Sequence, residues 1–398
     1  MKLKLYFLIL VLMLSTKFMN IHFFSVLPYD FINLFISLFF IGYSFFNINS
    51  WSLKNFKNTT FFIKTFFIAY LLSSITAYVD WGQGFITTFI ASRFVLWLSF
   101  GLYLIKSKTD PKVLYDAFYK FTWIYVILSV FINVFPDTKH LFLYYDVEFA
   151  YRLEGAFFAG IQFVLIPLYV IIERFIGKQF VSKKDYLLLI LSIVTIFFTE
   201  NRATLFTVLF LIFISYILYS KINIFKKTLI TGSITLLFVV FIFEEINPLI
   251  EETIIQLNDF DYPRIRAVLY FINDFSNSNL GYLLGNSFGS KKEYYGQFLD
   301  SLKTEKGIYV SDLGLFGTWV YFGVLGLIAI LFPVYNMIFR NKDFKAFKLL
   351  SLNMIVGFTM FLFLPEYTFV FFISILYLFD YKNIVLNKTV KSINSVLK

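Results

Sequence analysis

The 398-residue chain contains no cysteine and only two histidines, His22 and His140. The first absence excludes disulfides, thiolate nucleophiles and Cys-ligated metal or iron–sulfur centres. The second excludes a His-rich metal centre. Charge is also scarce, at 15% of residues against 59% hydrophobic. A soluble protein of this length needs more polar surface than that to cover its core. No GxGxxG, P-loop, HExxH or GxSxG motif stands in a credible strand or helix context. Nucleotide hydrolysis and zinc proteolysis are thereby set aside, and any group transfer must draw its energy from an activated substrate.

What is abundant is aromatic and apolar: 57 Phe and 27 Tyr, with a mean hydropathy of +0.75. Apolar runs fall near 5–27, 29–47, 60–79, 84–105, 116–136, 154–173, 185–199, 203–220, 228–243, 311–338, 349–365 and 367–381. Most approach the length that carries a helix across roughly 30 Å of hydrocarbon. Continuous runs rather than alternating ones point to helices, not a barrel. The sequence therefore predicts an all-α polytopic membrane protein of about twelve transmembrane helices, a single transmembrane domain over 1–398. The run 311–338 exceeds one span, so its first turns are expected above the membrane or tilted. The N-terminal KLKLYFLILVLML lacks a small-residue cleavage site and reads as an uncleaved first helix.

Basic residues supply an independent test. With the N-terminus in the cytoplasm, the inner segments hold Lys2 and Lys4, Lys54 and Lys57, and Lys106, Lys108 and Lys112. They also hold Arg174, Lys178, Lys183 and Lys184, then Lys221, Lys226 and Lys227, then Arg340, Lys342, Lys345 and Lys348. Lys382, Lys388, Lys391 and Lys398 close the set. Outer loops hold fewer: Lys139, Arg152, Arg202, Arg264, Arg266, Lys291, Lys292, Lys303 and Lys306. The bias recurs at alternate loops, as positive-inside insertion requires. It also accounts for the net charge of +10 without nucleic acid. Both termini are expected in the cytoplasm, and the one large loop, 244–310 between the ninth and tenth spans, outside. Its central stretch, with PRIRAVLYFINDF, is too apolar and aromatic for a solvated tether and is expected to fold over the membrane surface or a cavity.

Several charges stand where lipid disfavours them. Arg93 sits in the middle of the fourth span, where a cation needs a partner or a wet cavity; a structural ion pair and a functional role both fit. Arg152 and Glu154 open the sixth span, and Glu200 and Arg202 form TENR between the seventh and eighth. Arg264 and Arg266 precede a Gly-rich stretch (NLGYLLGNSFGS), and Asp312 opens the tenth span. Arginine on the face that should be poor in it suits a phosphate or diphosphate at headgroup level, through a rigid donor fork. Binding to lipid headgroups is the bland alternative.

Four stretches, YRLEGAFFAG, TENRATLFTVLFLIF, PRIRAVLYFINDFSNSNLGYLLGNSFG and SDLGLFGTWVYFGVLG, together resemble the O-antigen polymerase and O-antigen ligase superfamily of bacterial membrane glycosyltransferases. The likeness lies closer to the polymerase branch and runs loosely over 60–380. It implies a GT-C-like fold in the bacterial inner membrane. It also implies inverting, cofactor-free and metal-independent glycosyl transfer on the outer face from an undecaprenyl-diphosphate-linked oligosaccharide. Carried over, the diphosphate falls to Arg152, Arg264 or Arg266, with Arg202 supporting. A polysaccharide chain-length regulator is a plausible partner. Ligases commonly carry a histidine after the large loop; here the neighbourhood holds Asp312, which weakens the ligase reading, transfer of glycan to a lipid A core, yet leaves it the closest rival among enzymes. Chemically, arginines stabilise the leaving diphosphate, and Asp312, Glu200 or Glu154 takes the acceptor proton. A lipid-linked oligosaccharide flippase is the rival from another class, and would need a cavity reaching both faces.

Overall fold

The structure is a computed structural model that describes residues 2–21, 27–47, 53–135, 138, 159–177, 179–198, 202–219, 263–276, 278–340, 345–356 and 366–396. Every regular element of it is helical: α1 Lys2–Ser15, α2 Tyr29–Phe46, α3 Lys57–Trp81, α4 Phe85–Ala91, α5 Ser99–Lys106, α6 Pro111–Val134, α7 Gln162–Ile176 and α8 Lys183–Phe198. There follow α9 Arg202–Tyr219, α10 Pro263–Asn273, α11 Asn279–Leu284, α12 Tyr294–Lys306, α13 Leu315–Phe339, α14 Lys345–Val356 and α15 Glu366–Val396. Among the described residues, five helices are long and apolar enough to cross a bilayer: α2, α3, α6, α13 and the Glu366–Val385 part of α15. A sixth span forms if α4 and the Arg93–Lys106 segment, bent by 65°, count as one. The chain is thus an all-α, multi-pass membrane protein, and twelve spans go beyond what the described helices show. The expected span 228–243 lies outside the described residues.

Two helices set an apolar outer face against buried polar positions. In α2 the buried positions are Asn33, Ser37, Phe40 and Ser44, while Phe31, Phe35, Leu38 and Phe45 are exposed. In α3, Phe67, Leu71 and Ile75 face outward while Ser73, Ser74 and Thr76 are buried. An apolar outer face and a polar inner one suit lipid, where polar groups need partners within the protein. The hydroxyls find them locally. Ser37, Ser44 and Ser74 donate to the carbonyls of Asn33, Phe40 and Tyr70, one turn back.

Packing centres on α3 and α13, which lie against each other along their length. Phe66 meets Phe322 of α13 and Phe369 of α15 at ring separations of 4.8 and 5.2 Å. Phe62 stands edge-on to Phe372 at 4.8 Å. Such tilted and T-shaped aromatic contacts each add about 1 kcal/mol beyond the area they bury.

Contacts sort the helix termini into two ends. At one, Lys4 of α1 donates to the Ser107 carbonyl after α5, and Arg174 near the end of α7 lies over Tyr115 near the start of α6. The Ala346 amide of α14 reaches Glu173 of α7. Also at this end, Asp380 of α15 accepts from the Asn58 amide nitrogen and side chain and from the Thr59 amide and hydroxyl. Asn336 of α13 donates to Asn58 at 2.8 Å. The buried Asp380 carboxylate therefore caps the first turn of α3 from a different helix, doing the task of an N-cap residue. This end carries the basic residues assigned to the inner side, Lys4, Lys57, Lys106, Arg174, Lys345 and Lys382 among them. The opposite end collects the starts of α2, α4, α13 and α15 and the end of α3.

Candidate functional site

Two helices are interrupted near that second end. α13 carries a residue outside helical geometry, Gly323, at φ 63° and ψ −166°. The run 311–338 is thus a 3₁₀ turn (Val310–Leu313) followed by a helix broken eight residues in, about 12 Å along its axis. Ser92 ends α4, and a 3₁₀ stretch, Arg93–Leu98, replaces the middle of what the sequence reads as one continuous fourth span. Arg93 follows the start of α4 by the same eight residues, so both breaks lie at a similar distance from the helix starts. Broken backbone at such depth is tolerated where protein or a cavity satisfies it.

Protein satisfies it here. Residues 285–290, from the NLGYLLGNSFGS stretch, insert beside the break in α13. The Asn286 and Ser287 amides donate to the Val320 and Tyr321 carbonyls at 3.1 and 2.8 Å. Gly285, at φ 82°, lies so close that a Cβ there would overlap backbone atoms of Tyr321, Phe322 and Gly323. At Gly323 a Cβ would overlap Leu283, Leu284 and Gly285 in return. Only glycine allows both the left-handed backbone and the approach. The end of α3 holds the same segment from its other side. Thr76 donates to the Gly285 carbonyl at 2.6 Å, and the Trp81 indole to Asn286 Oδ1 at 2.9 Å. Gln83 bridges, donating to the Phe288 carbonyl and accepting from the Ser290 amide. Asp80 accepts from the Ser278 hydroxyl at 2.6 Å. Trp81 also stacks on Tyr295 at 4.7 Å, and burial pushes the Tyr295 phenol well above its ordinary pKa, so it stays neutral.

Ser287 invites a catalytic reading, because GNSFG has the letters of a nucleophile elbow and Ser287 has φ 52°. The surroundings deny it. The segment is a loop docked on helices, not a strand-to-helix turn, and Ser287 is fully buried with its hydroxyl unpartnered.

Beside the docked loop lies a charged group. Arg93 pairs with Asp30 of α2 at 2.5 Å, the two side chains 31% and 66% exposed. Its guanidinium also donates to the Ile90 carbonyl. Asn33, one turn after Asp30, donates to Glu366 of α15 at 3.4 Å. Phe94, next to Arg93, packs on Phe288 of the docked loop at 5.4 Å and on Phe369, one turn after Glu366, at 6.1 Å. The loop, the break at Arg93 and the start of α15 therefore form one contiguous site. Arg93 thus has an ion-pair partner in the first turn of α2.

The other expected residues divide into three groups. α10, which carries Arg264 and Arg266, packs against the Val310–Leu313 turn, which carries Asp312. Arg266 is exposed, and its guanidinium donates to the Lys306 carbonyl at the C-terminus of α12. That contact satisfies an end-of-helix carbonyl and places a cation at the negative pole of the helix. Arg202 opens α9, which packs against α14 and α8. Arg152, Glu154 and Glu200 lie outside the described residues. The sequence reading missed Asp30, Asn33 and Glu366. A signal was available in an acid inside the apolar run 29–47 and another flanking Pro365.

Among the described residues no group of three or more His, Asp or Glu side chains could hold a metal ion. No protein-family model, curated protein or solved structure matches the chain, so the site is read from its own residues.

Proposed function

We propose that the chain is a bacterial surface-polysaccharide polymerase of the O-antigen type, in a GT-C-like fold of about twelve spans in the inner membrane. It would join undecaprenyl-diphosphate-linked repeat units by inverting, metal-independent transfer on the outer face. In this reading the basic end of the bundle is cytoplasmic, with both termini, and 244–310 is an exterior loop. Arg152, Arg202, Arg264 and Arg266 form the diphosphate set. Asp312, Glu200 or Glu154 takes the acceptor proton, while C1 of the donor sugar leaves the diphosphate for the acceptor oxygen. Departure of a diphosphate needs positive charge near its oxygens rather than a general acid.

The observation that carries the reading is the asymmetry between the two ends. The outer end combines broken helices, a docked polar loop and arginines, whereas the inner end is closed by the Asp380–Asn58–Asn336 hydrogen bonds and the Phe56–Tyr377 stack. Chemistry on one face suits that arrangement. The two interrupted helices favour a second reading, a lipid-linked oligosaccharide flippase, since transporters bind their cargo at such breaks. The tie between α3, α13 and α15 at the inner end weighs against it.

Purified protein in vesicles, given its host's undecaprenyl-diphosphate repeat unit, is expected to yield a ladder of glycan lengths. Movement of the lipid-linked unit between leaflets without any ladder would replace the polymerase by the flippase. The ladder is expected to persist in excess EDTA, after separating any effect of divalent ions on substrate aggregation. Its loss there, restored by one divalent ion, would overturn the metal-independent mechanism.

A further inference from the structure

Resting on the polymerase reading, we infer that Tyr29, Asp30, Asn33 and Glu366, with Arg93, form a subsite for the hydroxyl groups of the acceptor glycan. Asn33 is 3% exposed, yet its side-chain oxygen has no hydrogen-bond partner while its amide nitrogen faces Glu366. The reverse amide orientation would set oxygen against carboxylate, so the unpartnered atom is an acceptor. Tyr29 lies one turn earlier on the same face of α2, and its hydroxyl is also buried without a partner. A buried polar group left unpaired costs about 1–3 kcal/mol, and here two stand within one turn, beside the Glu366 carboxylate.

The chemistry of the set selects that ligand. Asn33 Oδ1, the Glu366 carboxylate and the exposed face of Asp30 accept hydrogen bonds, and the Tyr29 hydroxyl both gives and takes. A free metal or ammonium cation would meet acceptors too, but it would also meet the Arg93 guanidinium held 2.5 Å from Asp30. An anion would meet Glu366 and Asp30. A neutral polyhydroxyl molecule meets neither repulsion. Carboxylate, amide and phenol side by side fit adjacent sugar hydroxyls, each at once donor and acceptor. The site touches the docked loop through Phe94 and Phe288.

The test uses the full chain in nanodiscs and two probes: the oligosaccharide released by mild acid from the host's lipid-linked repeat unit, and undecaprenyl diphosphate alone. Tyr29→Phe and Glu366→Gln are each expected to weaken oligosaccharide binding at least tenfold and to leave undecaprenyl diphosphate binding unchanged. Tyr29→Phe removes only an unpartnered hydroxyl, so its thermal midpoint is expected at or above wild type. A loss of oligosaccharide affinity there is one that a purely structural role would not produce. Wild-type oligosaccharide affinity in Tyr29→Phe would overturn the subsite, as would stabilisation of the wild type by sodium or ammonium but not by oligosaccharide. If the wild type forms no ladder yet binds the oligosaccharide in a Tyr29-dependent way, the polymerase reading fails and the subsite stands.

Discussion

Asp380 and Glu366 sit on the same helix, fourteen residues apart, and are treated in opposite ways. Asp380 is 3% exposed and accepts four hydrogen bonds from Asn58 and Thr59. Glu366 is half-buried, and the hydrogen bond it takes from Asn33 is 3.4 Å long. Both pay for desolvation, but only at Asp380 does the protein return that cost in full. A saturated carboxylate fixes helices; one with spare acceptor capacity is free to meet something else. The same contrast separates the two ends of the bundle. Unbroken helices and closed hydrogen-bond circuits form the inner end. Two breaks and an inserted loop form the outer one.

The largest expected effect comes from emptying the saturated site. Asp380→Ala strands the first-turn donors of α3 and the Asn58 side chain in a buried place. Charge-assisted hydrogen bonds of this kind are worth on the order of 3 kcal/mol when a partner is deleted. The thermal midpoint in detergent is expected to fall by several degrees, with reduced yield of folded protein. Glu366→Gln, by contrast, is expected to leave the midpoint within error of wild type. Equal destabilisation by both would erase the distinction between the two carboxylates.

Next in size is the break itself. Gly285→Ala forces a side chain into backbone atoms of Tyr321 to Gly323 and a left-handed residue away from glycine, at about 1–3 kcal/mol. Because the clash is with backbone, the loop must lift rather than repack. Limited proteolysis is expected to cut within 285–298 in Gly285→Ala and not in wild type, while the inner-end contacts hold and the midpoint moves less than for Asp380→Ala. Protection equal to wild type would mean that the insertion beside Gly323 does not hold the loop.

How much of this was legible beforehand follows from which interactions have a local signature. Hydropathy and the alternation of Lys and Arg are local sums, and they foretold a multi-pass helical bundle with a basic end. The interruption at Arg93 had a trace too, a charge in mid-span, but its partner did not. Asp30 lies 63 residues upstream, in a separate apolar run. Asp380 reaching Asn58 and Thr59 spans more than 320 residues of sequence, and capping in trans leaves no S/T-x-x-E pattern to find. The break at Gly323 was unreadable for a related reason. Glycine in an apolar helix is common, and only Gly285 from another segment makes this one a kink. Of the elements that carry expected charges, α10 with Arg264 and Arg266 packs on the 3₁₀ turn with Asp312, a long-range contact that has no local signature.

The smallest expected effect on the fold belongs to Arg266, which also separates two roles for one side chain. Its guanidinium caps α12 through the Lys306 carbonyl while the residue stays exposed. An exposed cation at a helix C-terminus contributes about 0.3–1 kcal/mol, so Arg266→Ala is expected to shift the thermal midpoint by a degree or two at most. Lysine carries the same charge to the same carbonyl and is expected to restore that stability. A diphosphate is less forgiving, because lysine lacks the two parallel donors that match its oxygens. If Arg266 both holds α12 and binds the leaving group, Arg266→Lys will be as stable as wild type yet nearly devoid of polymer per unit of folded protein. If it only caps the helix, Arg266→Lys will make polymer at the wild-type rate, and the diphosphate must be held by Arg152, Arg202 or Arg264. The double variant with Arg152→Ala reports the same point from the other side. Two arginines on one leaving group act as a unit, so it is expected to be little worse than the more defective single variant.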